Sequence, residues 1–144
     1  MTSSVVVDAS VAVKWFILEE RSAEAVALTG GTSLVAPTLI GLEVASALSK
    51  KARRNLIAPD LASRYLAALP RYFVELVDHD ALLPAALALS VELGHPIYDC
   101  VYLEAARRRQ VRVVTDDLAF LTKVGRSDFG RYVVALEMWT TALR

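Results

Sequence analysis

Four carboxylates, Asp8, Glu43, Asp99 and Asp117, stand where an acid is either well placed for chemistry or hard to account for otherwise. Asp8 closes the run Val5-Val6-Val7 and is followed by Ala9 and Ser10, and Asp117 comes two residues after Thr115 at the end of Val113-Val114-Thr115. Taken singly, Asp8 and Asp117 read as helix caps, because a short acidic side chain satisfies free N–H groups at a helix start. Asp99 reads as a first-turn acid that favours the positive end of a helix dipole. Glu43 resists so simple a reading. Its neighbours one turn away are Leu39, Ile40, Ser46 and Ala47, and a carboxylate on an apolar side is costly unless paired or bound to a metal. Asp99 meets the same difficulty, with Tyr102 and Leu103 one turn on and almost no polar face between Ile97 and Ala106.

One shared cation accounts for two acids on apolar helix faces and two at strand ends. Carboxylate oxygens, in a chain with only His79, His95 and the single Cys100 as other donors, suit a hard Mg²⁺ or Mn²⁺ ion and not zinc. Such an ion can activate water, polarise a phosphoryl group and neutralise its leaving oxygen, which is the chemistry of phosphodiester hydrolysis. A carboxylate not fully used in holding the ion can orient or deprotonate the water; Glu43 is assigned that part. Without the ion, repulsion among the four acids is expected to raise some of their pKa values.

The elements that must position these residues follow from the apolar pattern. Segments 5–8, 33–36, 73–77, 112–115 and 132–136 read as strands. Helices are expected over 11–18, 23–28, 39–51, 60–69, 83–93, 97–109 and 118–123, punctuated by Gly30-Gly31, Pro59 and Gly94-His95-Pro96. Apolar strands alternating with helices predict an α/β domain with a mainly parallel sheet, in which ligands bind beyond the carboxyl ends of the strands. Asp8 and Asp117 fall at that edge. No repeat or linker interrupts the pattern, so residues 1–144 are expected to form one domain.

Composition narrows the class. A chain of ~150 residues buries roughly 70% of its unfolded surface, so with 55% hydrophobic residues the core needs no disulfide or structural metal. One cysteine excludes an internal disulfide and fits a reducing cytoplasm. The start lacks a basic leader, and the uncharged stretch 25–42 contains Gly30-Gly31, Pro37 and three threonines; strand plus helix suits it better than a membrane span. Sixteen basic and sixteen acidic residues sum to zero, an odd balance for a partner of nucleic acid. With four acids set aside in one site the remainder is 16 − 12 = +4. The basic groups Lys50, Lys51, Arg53, Arg54 and Arg107, Arg108, Arg109 read as solvated helix ends that complement the dipole. Cys100, Trp15 and Trp139 read as packing groups and the two histidines as loop residues. Gly30-Gly31 lacks a following Lys-Ser/Thr and is a turn, not a phosphate loop.

Three alternatives compete. A receiver-like Mg²⁺ domain needs a pair of acids after the first strand and a lysine after a late one, and a dehalogenase-like phosphatase needs Asp-x-Asp where this chain has Asp8-Ala9-Ser10. A non-catalytic interaction module draws support from the mean hydropathy of +0.41, which suggests surface covered by partners.

The segment Val5-Val-Val-Asp8-Ala-Ser10-Val-Ala-Val-Lys14-Trp-Phe resembles the opening motif of PIN domains, especially the VapC-type toxins of toxin–antitoxin pairs. Leu42-Glu43-Val-Ala-Ser-Ala-Leu, Pro96-Ile-Tyr-Asp99-Cys-Val-Tyr-Leu-Glu-Ala-Ala and Val113-Val-Thr115-Asp-Asp117-Leu-Ala-Phe120 resemble the second, third and fourth. The resemblance runs through nearly the whole chain in order. It implies a PIN-like three-layer fold with a five-stranded parallel sheet flanked by helices, a Mg²⁺-dependent endoribonuclease of single strands, an antitoxin partner and a homodimer. Asp8, Asp99 and Asp117 would hold the metal with Glu43 completing the cluster, and Ser10 and Thr115 would support it by hydrogen bonds. Asp116 is a departure, since the family often has a non-acidic residue there; Asp117 is preferred as the third residue of Thr-x-Asp.

Overall fold

A computed structural model describes residues 3–142. Met1, Thr2, Leu143 and Arg144, which the expected span 1–144 includes, lie outside the described residues, as do the side chains of 140–142. The chain runs β1 (Ser4–Val7), α1 (Ala9–Ala12), a 3-10 turn (Val13–Trp15), α2 (Ser22–Leu28), β2 (Ser33–Pro37), α3 (Leu39–Arg53) and α4 (Pro59–Ala68). After a second 3-10 turn (Leu69–Tyr72) come β3 (Glu75–Val77), a third (His79–Leu82), α5 (Leu83–Leu93), α6 (Ile97–Arg109), β4 (Val113–Thr115) and α7 (Leu118–Gly125). A last 3-10 turn (Gly130–Tyr132), β5 (Val133–Ala135) and α8 (Leu136–Ala142) complete it.

The five strands form one sheet in the order β3-β2-β1-β4-β5, every neighbour parallel, with helices on both faces. Val5, Val6 and Val7 are fully buried because β1 is the central strand and is covered on both sides. The winding builds outward from β1 through β2 to β3, then returns to the other side of β1 for β4 and β5. The reversal leaves a crevice beyond the carboxyl ends of β1 and β4. The register, Val6 opposite Val113 and Val7 opposite Val114, brings Asp8 level with Thr115 across that crevice.

Helix α6 lies against the sheet with Cys100 through Ala106 all buried, which is why its sequence shows no polar face. Glu104 is tolerated there because Arg107 Nε (2.8 Å) and Arg108 Nε (2.7 Å) reach back to it. Desolvation would push its carboxyl up, but the hydrogen bonds and charges of the two arginines outweigh it and hold the group below the usual range. Arg109 pairs with Glu75. The basic run at this helix end is thus consumed by structural pairs.

The expected α/β architecture is present, with differences at the ends of elements. The helix expected over 11–18 starts at Ala9, tightens to 3-10 geometry after Ala12 and stops at Trp15. There the Trp15 ring stacks on Tyr72 at 4.4 Å and its Nε1 donates to the Ala25 carbonyl at 2.8 Å; these long-range contacts decide where the helix stops. The strand expected over 73–77 is shorter, Glu75–Val77. The final strand ends at Ala135 and gives way to α8, which the pattern did not announce. The uncharged stretch 25–42 is divided among α2, β2 and the start of α3, and among the described residues no single helix is long and apolar enough to cross a membrane.

Two glycines test the packing. A Cβ on Gly130, at the turn into β5, would meet the Gly125 carbonyl oxygen at 2.7 Å, and backbone cannot move aside cheaply. A Cβ on Gly41, inside α3, meets nothing within 4 Å. Gly130→Ala is expected to destabilise the protein by about 1–3 kcal/mol, and Gly41→Ala to stabilise it by roughly 0.5 kcal/mol. Thermal unfolding of the two variants checks both signs.

Candidate active site

Asp8 ends β1 and caps α1: Val11 N–H donates to its Oδ1 at 3.4 Å. The same carboxylate, 4% exposed, receives Ser10 Oγ at 2.6 Å on Oδ1 and the Thr115 hydroxyl on Oδ2. Each hydroxyl in turn accepts a backbone N–H from the turn after β4, Ser10 from Asp116 (2.9 Å) and Thr115 from Asp117 (3.1 Å). Two hydroxyls therefore pass the polarity of two amides to one buried acid and lock the β1 end to the β4 end. Despite these donors, burial pushes the Asp8 carboxyl up to about 7, with the charge of Asp99 adding to the shift.

Asp99 is the electrostatic hub. It lies in the first turn of α6, and its carboxyl is raised by burial and by the charge of Asp117, against the lowering effect of a hydrogen bond from His95. Its own charge reaches both Asp8 and Glu43. Glu43, from the first half of α3, is half-buried and accepts the Tyr102 hydroxyl at 2.6 Å. Burial raises the Glu43 carboxyl, the Tyr102 bond lowers it and Asp99 raises it again. Asp117 caps α7 by accepting Phe120 N–H at 3.2 Å. The structure thus brings all four acids, with Ser10 and Thr115, to one crevice. Cap and cluster member are the same residues, not rival readings.

Asp116 is held apart. Lys14 Nζ (3.2 Å) and Arg21 Nε (3.7 Å) take its carboxylate, and Lys14 also binds Glu19 (3.1 Å). Arg21 reaches it from a left-handed backbone conformation, φ 65°, which costs a non-glycine residue about 1 kcal/mol.

Two functional-site neighbours escaped the sequence reading. His95, expected as an ordinary loop residue, is nearly buried and bonds Asp99 Oδ2 through Nε2 at 2.6 Å, with its ring beside Phe120. Tyr102 orients Glu43. The available signal was spacing: Tyr102 stands one helical turn after Asp99, and His95 lies in the loop four residues before it.

The donor set suits a hard divalent ion, since it consists of carboxylate oxygens whose ionised forms are disfavoured by burial and by one another. Among the described residues no three His, Cys, Asp or Glu side chains form a ready-made cage. Asp8, Glu43 and Asp99 are turned onto hydroxyl or imidazole partners, with which an entering cation would compete.

The PIN domain family matches residues 5–125 of this chain. The chain belongs to the PIN domain family. This PIN domain is 36% identical over 115 residues to Ribonuclease VapC3 of Pyrobaculum aerophilum, an alignment covering 78% of this chain and 88% of the relative. The resemblance to VapC-type members is therefore borne out. The fold is similar to that in the crystal structure of PAE2754 from Pyrobaculum aerophilum, with a TM-score of 0.72 at 24% identity, covering 99% of this chain and 90% of the other.

The raised Asp8 pKa makes a pH prediction for the metal-free PIN domain. Folded Asp8 keeps its proton up to about pH 7, whereas an unfolded aspartate loses it near ~4. A folded pKa above the unfolded one gives stability that is complete below ~4 and lost as pH rises through ~7, on the order of a few kcal/mol. Asp8→Asn has no such proton to lose. In EDTA the melting temperature of the wild type is expected to fall relative to that of Asp8→Asn between about pH 4 and about pH 7 and to level off above that. A difference that stays flat over this range would show that burial does not raise the Asp8 carboxyl.

Proposed function

We propose that this PIN domain is a Mg²⁺- or Mn²⁺-dependent endoribonuclease, the toxin of a toxin–antitoxin pair. The observation that carries the reading is the coupling of Asp99 to Asp8, Glu43 and Asp117 at the carboxyl ends of β1 and β4. The match to a protein named as a VapC ribonuclease supports the toxin class.

In this reading Asp8, Asp99 and Asp117 hold the cation. When bound there, it supplies positive charge to the phosphoryl group and its leaving oxygen and acidifies water. Glu43 takes the proton of the attacking water; its raised pKa brings it closer to the operating pH, which suits a general base. Tyr102 fixes the direction of the Glu43 carboxylate. Ser10 and Thr115 fix Asp8, and His95 fixes Asp99. Lys14 and Arg21 keep Asp116 out of the cluster.

Partners follow from the surface. Leu83, Leu87 and Val91 repeat every four residues along α5 with 38%, 57% and 77% of their area exposed, and Tyr98 and Leu118 are exposed as well. An apolar face of this kind suits a second copy or the helix of an antitoxin.

With a mixed RNA pool and Mg²⁺, purified protein is expected to yield discrete cut ends that EDTA abolishes. Asp8→Asn and Asp99→Asn are expected to slow cleavage by about 10²-fold or more, and Tyr102→Phe by roughly tenfold, the scale for losing a partner of an active-site side chain. Asp117→Asn is expected to do far more damage than Asp116→Asn. Wild-type cleavage by Asp8→Asn, in a preparation free of contaminating nuclease, would sink the assignment.

A second expectation concerns the cell. Expression alone is expected to arrest growth, and co-expression of a small protein encoded beside the gene to relieve it. Unimpaired growth at high expression of the active protein would remove the toxin reading while leaving the nuclease intact.

A further inference from the structure

A cleft of about 500 Å³ reaches one member of the acid cluster, Glu43, and is lined there by Ser10 and Asp116 and further along by Lys50, Lys51 and Arg54. At about 100° per residue, Lys50 falls within roughly 20° of Glu43 around α3, some ~10 Å further along its axis, and Arg54 caps the end of the same helix. A helix dipole accounts for cations near a C-terminus, but it has no preference among faces. Arg53, one residue away from Arg54, does not line the cleft.

Pairing separates these cations from the five that hold structural acids. Lys14, Arg21, Arg107, Arg108 and Arg109 are each tied to carboxylates. Among the described residues no ion pair or hydrogen bond engages the Lys50, Lys51 or Arg54 side chain. Three uncompensated charges in a cleft that reaches Glu43 attract a polyanion and bring it in along one line. Because Asp8 is buried and Glu43 and Asp99 are partly so, a phosphate reaches them only on a strand that can bend into the groove. A single strand does so; a stiff duplex does not.

We propose that Lys50, Lys51 and Arg54 form a track at the end of α3 that binds the phosphate backbone of single-stranded RNA and leads it to Glu43. The track rests on the ribonuclease reading above, but it binds without cation and can be measured separately.

The test is the salt dependence of binding of a labelled single-stranded RNA oligonucleotide in EDTA, where no cleavage occurs. For single strands each phosphate contact contributes about 0.7 to the slope of log affinity against log salt. Lys51→Gln/Arg54→Gln is therefore expected to lower the slope by about 1.4. Lys123→Gln/Arg126→Gln removes the same charge from the cleft between α5 and α7 and is expected to leave the slope unchanged. Equal slopes in the two double variants would overturn the track. Loss of poly-glutamate binding without loss of RNA binding would overturn it too, in favour of an acidic protein segment. RNA that binds with the expected slope yet is never cut with Mg²⁺ or Mn²⁺ would remove the ribonuclease reading and leave the track standing. Cleavage by Lys51→Gln/Arg54→Gln with wild-type rate and slope would do the opposite.

Discussion

The burial of Asp8 at the end of the central strand is the constraint on which the site depends. A carboxylate there is expensive in isolation, and the fold meets the cost locally with two hydroxyls that each relay a backbone amide. That arrangement requires β1 and β4 to be neighbours in one particular register, because Ser10 and Thr115 are 105 residues apart and must address the same carboxylate. The strand order, the register and the chemistry at the sheet edge are thus a single requirement. The cost that remains, chiefly of burial and then of mutual repulsion, is stored as raised proton affinity in Asp8, Glu43 and Asp99.

Helix α6 carries the arrangement from one end of the domain to the other. Its first turn presents Asp99 to the crevice, its next residues bury Tyr102 against Glu43, and its last turns bind Glu104 with Arg107 and Arg108. A helix buried from Cys100 to Ala106 cannot shift by a fraction of a turn without breaking several of these contacts, so Asp99 and Glu43 share its rigidity.

Charge is sorted in the same economical way. Asp116 lies next to Asp117 in sequence, but its carboxylate is taken up by Lys14 and Arg21. The zero net charge conceals this sorting: some cations neutralise structural acids, and those along α3 stay unpaired. An overall sum is blind to whether opposite charges lie beside one another.

The sequence by itself determined the alternation of strands and helices, since burial on both faces of a parallel sheet demands continuous apolar runs such as Val5-Val6-Val7 and Val113-Val114-Thr115. It also singled out Glu43 and Asp99, because an acid on an apolar helix face is conspicuous without any coordinates. Only the tertiary structure decided which neighbours those acids meet. Tyr102 and His95 look like a core aromatic and a loop residue until α3 and α6 are packed together. Helix α8 was hidden for a similar reason: Leu136 and Trp139 are one turn of apolar pattern, too short to mark a helix, and α8 packs mainly against α2, which is distant in sequence. Periodicity records what each segment buries, whereas hydrogen bonds and ion pairs join side chains whose separation along the chain carries no information about their distance in space.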